Sequence, residues 1–143
     1  MQAIVDTSGK FLYVSNLNDA QGAISAYDID SATGALTPIP GSPFPTQTGF
    51  SGPAGLRIAG GGKFLYVGMA GTVNANHLIS CVSINPSTGA LTQTVNSPFL
   101  AGHTGGSPFT THSAPVAAAV DPTGKFVYVP NSGSGDLSVL HWT

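Results

Sequence analysis

The chain has 143 residues, 7% of them charged, and a net charge of −2. An average soluble domain is roughly 25% charged, so this surface offers no basic face to nucleic acid or an anionic membrane, and no run of about 18 apolar residues is present to cross one. All six acidic residues are Asp, Glu is absent, and 19 Gly and 11 Pro stand beside few long charged side chains, which argues against helices and for short strands and turns.

Taken in order, Ala3–Val5 reads as a short apolar strand followed by the polar turn Asp6-Thr7-Ser8-Gly9. Lys10–Ser15 is a second strand, rich in aromatic and β-branched residues, and Ala23–Ile29 a third after a polar loop. The turn Asp30-Ser31-Ala32-Thr33-Gly34 leads into Leu36–Ile39, a strand that runs into Pro40, Pro43 and Pro45. Proline cannot donate to a ladder, so this strand belongs on an edge. The unit is therefore a four-stranded antiparallel meander with its last strand outermost.

The same order then returns. Strands are expected near Gly55–Ala59, Lys63–Val67, Leu78–Ile84 and Leu91–Val95, and again at Val116–Val120, Lys125–Val129 and Leu137–Trp142. Three signatures mark the repeat. The hexamer Gly-Lys-Phe-x-Tyr-Val begins at Gly9, Gly62 and Gly124; Thr-Gly-Ala-Leu-Thr begins at Thr33 and Thr88; Ser-Pro-Phe begins at Ser42 and Ser97. The third unit ends without the second signature or an outer strand, so the expected count is four, four and three strands. The units run over 1–45, 53–99 and 115–143.

In the second strand both alternating sets are apolar, Phe11 and Tyr13 on one face, Leu12 and Val14 on the other. Such a sheet must be covered on both faces. Small sheets stacked face to face around an axis achieve this, and the fold expected is an all-β propeller with about three blades in this chain. Turns within a blade are short and alike. The remaining loops, 16–22, 45–53, 68–77, 100–114 and 130–135, are long and unlike, and all gather on one rim, where a site is expected.

Asp121-Pro122-Thr123-Gly124-Lys125-Phe126-Val127-Tyr128-Val129, with the Thr-Gly-Ala-Leu-Thr turns and Gly41-Ser42-Pro43-Phe44, resembles the YVTN-type repeats of the lactonase-like propellers. That family includes bacterial 6-phosphogluconolactonase and the fungal muconate-cycloisomerising lactonase. The resemblance covers almost the whole chain. It implies a seven-bladed single chain over twice this length, and lactone chemistry without metal, using His, Glu and Arg near a central channel. Family members often carry Pro-His-x-x-x-x-Asp-Pro just before the hexamer. Here Val116 follows Pro115 and Ala54 follows Pro53, so the His place is empty twice, and Arg57 is the sole Arg.

The candidate residues are few. Arg57, in an inner strand, is placed to face the channel and grip an anion. His112, just before an inner strand at the rim, and His103 in the same loop are the candidate bases. Two His in a loop without Cys or carboxylate do not make a zinc set, so no metal and no cofactor are expected. His77 and His141 read as structural. Asp6 and Asp121 open equivalent turns, Asp30 opens the turn before the outer strand, and all three read as Asx caps. Gly60-Gly61-Gly62 is followed by no helix or Lys-Ser pattern and is no phosphate loop. Cys81 has no partner for an internal disulfide and reads as a small buried hydrophobe. Met1–Asp6 shows no signal-peptide pattern, which leaves a bacterial cytoplasm or, with a leader removed, the periplasm or exterior.

With the acid/base set incomplete, the sequence favours a non-enzymatic scaffold or binding module, its rim or channel holding a small polar ligand or a protein. The alternative is a lactonase-like hydrolase. Three blades leave an apolar face at each end, complementary head to tail. A homodimer closing a six-bladed ring is therefore the expected partner state.

Overall fold

A computed structural model describes residues 1–16, 23–46, 53–69, 77–94, 99–101, 119–123, 126–131 and 135–141. Every regular element among them is a strand. The first sheet holds β1 (Ala3–Val5), β2 (Phe11–Ser15), β3 (Ala23–Ile29), β4 (Leu36–Pro38) and β5 (Phe44–Pro45). The second holds β6 (Pro53–Ala59), β7 (Phe64–Met69), β8 (His77–Ile84), β9 (Leu91–Gln93) and β10 (Phe99–Ala101). The third holds β11 (Ala119–Val120), β12 (Phe126–Asn131) and β13 (Asp136–His141). All pairings are antiparallel, and each sheet is a meander in chain order. The first strands come together, with β6 beside β1 and β11. These are propeller blades with β1, β6 and β11 innermost.

The outer strand differs from expectation. It is two short pieces on the same edge, so the described residues hold thirteen strands rather than eleven. Tyr27 pairs with Pro38, but Ile24 pairs with Phe44, a three-residue slip. Pro40 and Gly41, the latter at φ 89°, carry the chain out of the ladder. The Ile39 amide donates to the Ala26 carbonyl at 3.0 Å, and the Ser42 hydroxyl accepts from the Ala26 amide at 2.9 Å. The serine of the Ser-Pro-Phe signature thus stands in for the missing strand, and its phenylalanine restores pairing. The second sheet slips by the same amount, from Val82↔Gln93 to Ile79↔Phe99.

The core lies between sheets. Phe11, Tyr13, Ile24, Ala26 and Ile39 of the first pack against Leu56, Leu65, Val67, Val82, Ile84 and Leu91 of the second. Tyr66, Ile79 and Cys81, on the other side of the second sheet, pack against Val127 and Val129 of the third. The alternation seen in the hexamer is therefore used in full: Leu65 and Val67 face backward, Phe64 and Tyr66 forward. Across the first interface the Tyr13 hydroxyl donates to the Gly89 carbonyl at 3.0 Å. Gly89, at φ 68°, lies so close that a Cβ there would stand 2.5 Å from the Phe11 ring and 2.6 Å from Ile39.

The turns behave as Asx caps. The Asp6 carboxylate accepts from the Ser8 amide at 2.9 Å, the Ser8 hydroxyl at 2.6 Å, and the Lys10 and Phe11 amides at 2.8 and 2.9 Å. Asp121 accepts from the Thr123 amide and hydroxyl and from the Phe126 amide in the same way. Asp30 and Asn85 each accept two amides in the second kind of turn. Burial raises the Asp6 pKa, but the bonds from Ser8, Phe11 and Lys10 outweigh it and leave the carboxyl below its ordinary 3.8. A lowered pKa means that its stabilisation is complete above that value and fades as the pH falls through the folded pKa. Asp6→Ala is expected to cost about 1–2 kcal/mol near neutral pH, from the lost charged hydrogen bonds of a half-exposed cap. In urea titrations repeated down to about pH 2.5, the gap between the two proteins should shrink. A gap that stays constant with pH would contradict the charged cap.

Candidate functional site

The inner edge of the second blade is the one place where a predicted site residue can be built in atomic detail. β6 pairs with β7 on one side and presents its other edge toward the channel. The backbone groups of Leu56 on that edge are taken up by side chains. The Leu56 amide donates to Oε1 of Gln2 at 2.7 Å, and Nη1 of Arg57 donates to the Leu56 carbonyl at 3.1 Å. Gln2 is itself held to the first blade, its amide donating to the Ser15 hydroxyl at 2.7 Å. Ser15 is fully buried, so this anchor is rigid.

Arg57 is exposed, while its neighbours Leu56 and Ile58 pack into the first interface. The alternation of the strand therefore turns Arg57 to the side of the third blade, where β11 lies alongside. The result is a positive guanidinium at the inner edge, between blades two and three. A guanidinium has five donors in a planar fork. One of them is spent on Leu56, and the fork remains suited to a carboxylate or phosphate. Gln2 was not singled out in the sequence; no motif surrounds it, and its part depends on a contact across blades.

The candidate bases His103 and His112 lie outside the described residues, as does most of the loop rim. His77 opens β8 and His141 closes β13. Among the described residues no three His, Cys, Asp or Glu side chains are grouped to hold a metal. Cys81 is buried. Burial pushes its thiol up, against hydrogen bonds from Thr94 and Tyr66 that pull it down, which is the setting of an inert packing residue rather than a nucleophile. Tyr66 beside it is pushed up to about 12, by burial first and by Cys81 second.

Residues 3–104 match the family described as "Lactonase, 7-bladed beta-propeller". The chain belongs to this family. The chain overlays a proposed 6-phosphogluconolactonase from Bacteroides fragilis with a TM-score of 0.75 at 20% identity, covering 99% of this chain and 34% of that one. A protein from Lactobacillus plantarum overlays with a TM-score of 0.65 at 22% identity, covering 98% of this chain and 40% of that one. At such identities the likeness is one of fold. No curated protein matches in sequence. The chain spans between a third and two fifths of the length of these two structures. Family membership backs the lactonase-like reading of the sequence over the scaffold reading that the missing Glu favoured.

Proposed function

We propose that the protein acts on lactones, hydrolysing a sugar lactone such as 6-phosphogluconolactone. The observation that carries this reading is the family match over residues 3–104, a stretch that includes Arg57 and His103. The exposed guanidinium on the inner strand supports it. Arg57 grips the anionic end of the substrate and holds the ring against the channel wall, where paired hydrogen bonds to a phosphate or carboxylate fix orientation as well as charge. With no Glu in the chain, the base is a neutral imidazole, His112 or His103. It takes a proton from water as the oxygen adds to the lactone carbonyl. The ring C–O bond then breaks, and the proton passes to the departing oxygen to give the open hydroxy acid.

A panel of lactones, with 6-phosphogluconolactone first, tests this. Arg57→Ala is expected to raise KM for the phosphorylated lactone about 10-fold or more, and to change a neutral lactone much less, since a charged hydrogen bond contributes about 1.5–3 kcal/mol. His112→Ala is expected to lower kcat about 10²-fold. Turnover that survives both substitutions overturns the residue assignments. No turnover on any lactone overturns the activity and returns the molecule to a binding module.

A further inference from the structure

We propose that Gln2 is a positioning residue for Arg57: from the first blade it holds the strand edge on which the guanidinium is pinned, and so sets how tightly the second blade grips an anion. The proposal rests on the reading of Arg57 as the residue that takes the anionic end of the substrate. The bonds it uses lie within and between the first two sheets.

Leu56 stands between the two side chains. Its own side chain is fully buried, while its backbone groups lie on the open edge of β6. The amide donates to Oε1 of Gln2 at 2.7 Å, and the carbonyl accepts from Nη1 of Arg57 at 3.1 Å. An open strand edge carries amides and carbonyls with no strand to receive them; here both groups of one residue are taken by side chains, one from each blade. Gln2 can serve as an anchor because its own backbone is fixed. Its amide donates to the Ser15 hydroxyl at 2.7 Å, and its carbonyl accepts from the Ser15 amide at 2.9 Å, with Ser15 fully buried.

The clamp belongs to this junction and not to the repeat. Aligned on the hexamers at Gly9 and Gly62, the second-blade mates of Gln2 and Ser15 are Gly55 and Gly68. These two pair in register, but neither has a side chain to reach onward to the third sheet. The charge is equally particular: the mates of Arg57 are Ile4, which packs against the first core cluster, and Ala119. The inner strand that carries the guanidinium is thus the one that Gln2 holds. Such holding matters because a free guanidinium loses rotamer freedom when it binds, whereas one already tied to a backbone carbonyl has lost part of it beforehand. Without the Gln2 acceptor Leu56 can tilt, and the carbonyl that pins Nη1 tilts with it.

Arg57 is the sole Arg, so its Nε–H gives one assignable magnetic-resonance signal. Inorganic phosphate, titrated at constant ionic strength, is expected to shift that signal, with a midpoint about 3- to 10-fold higher in Gln2→Met than in the wild type, the size of one hydrogen bond lost. Hydrogen exchange of the Leu56 amide should speed up by a similar factor. Gln2→Met keeps the length and drops the acceptor; Gln2→Asn keeps the amide one methylene too short and reads the same loss should the first variant not fold. With 6-phosphogluconolactone, Gln2→Met is expected to raise KM by that factor with kcat less affected, to change a neutral lactone much less, and to add nothing on top of Arg57→Ala. A wild-type signal that ignores phosphate overturns the proposal. So does an unchanged midpoint in a folded variant, an equal rise in KM for the neutral lactone, or a rise that persists without Arg57. Should no lactone turn over, the reading of the activity falls, and the phosphate titration still decides the role of Gln2.

Discussion

Gly89→Ala is expected to destabilise the chain by about 3 kcal/mol, while Gly9→Ala costs about 1–2 kcal/mol. Both glycines hold a left-handed backbone, at φ 68° and 75°, and an L-residue there costs roughly 1–2 kcal/mol. The remainder comes from space. At Gly9 a methyl group meets nothing within 4 Å; at Gly89 it would overlap the Phe11 ring and the Ile39 terminal carbon. Overpacking adds about 1–3 kcal/mol, because neither the ring nor the turn can retreat without opening the Tyr13–Gly89 hydrogen bond. Urea denaturation of the two variants measures the difference directly. Equal losses would mean that the blades do not pack through this turn.

Leu65→Ala carries the second large effect, about 3–4 kcal/mol. Leu65 is fully buried and sits at the centre of the first interface, among residues from both sheets. Removing its isobutyl group leaves a cavity between two β-sheets, which are rigid and collapse poorly. Leu65→Met keeps the volume and is expected to cost under about 1.5 kcal/mol. Both values come from denaturation midpoints at unchanged slope. An alanine variant as stable as the methionine one would place the core elsewhere.

The fold was legible because the physics that shapes it is local and repeated. Phe11-Leu12-Tyr13-Val14 is apolar on both faces, and a sheet covered on both sides follows from that alone. Asp6, Asp30 and Asp121 announced their turns through their side-chain chemistry, and each makes the amide bonds expected of an Asx cap. The broken outer strand was not legible. Prolines marked it as an edge, but that the Ser42 hydroxyl replaces a backbone partner is a matter of three-dimensional register. Gly34 and Gly89 were seen as repeat mates; that one lies in the open and the other under Phe11 depends on which blades have neighbours.

The candidate site was legible in part. The sequence put Arg57 in an inner strand, and β6 is such a strand with Arg57 exposed on it. Its bond to Leu56, and the bond of Leu56 to Gln2 from the preceding blade, join residues far apart in sequence with no shared motif. His103 and His112 sit in a Gly-rich loop with neither strand nor helix periodicity, so residue order carries no information about where their rings point.

The broken outer strand also bears on how the molecule stays in solution. A sheet edge with a long row of unsatisfied amides and carbonyls invites a stranger's strand. In the first two blades that row is cut into pieces of two or three residues, with Ser42 plugging the gap in the first, so an intruding chain finds no continuous template.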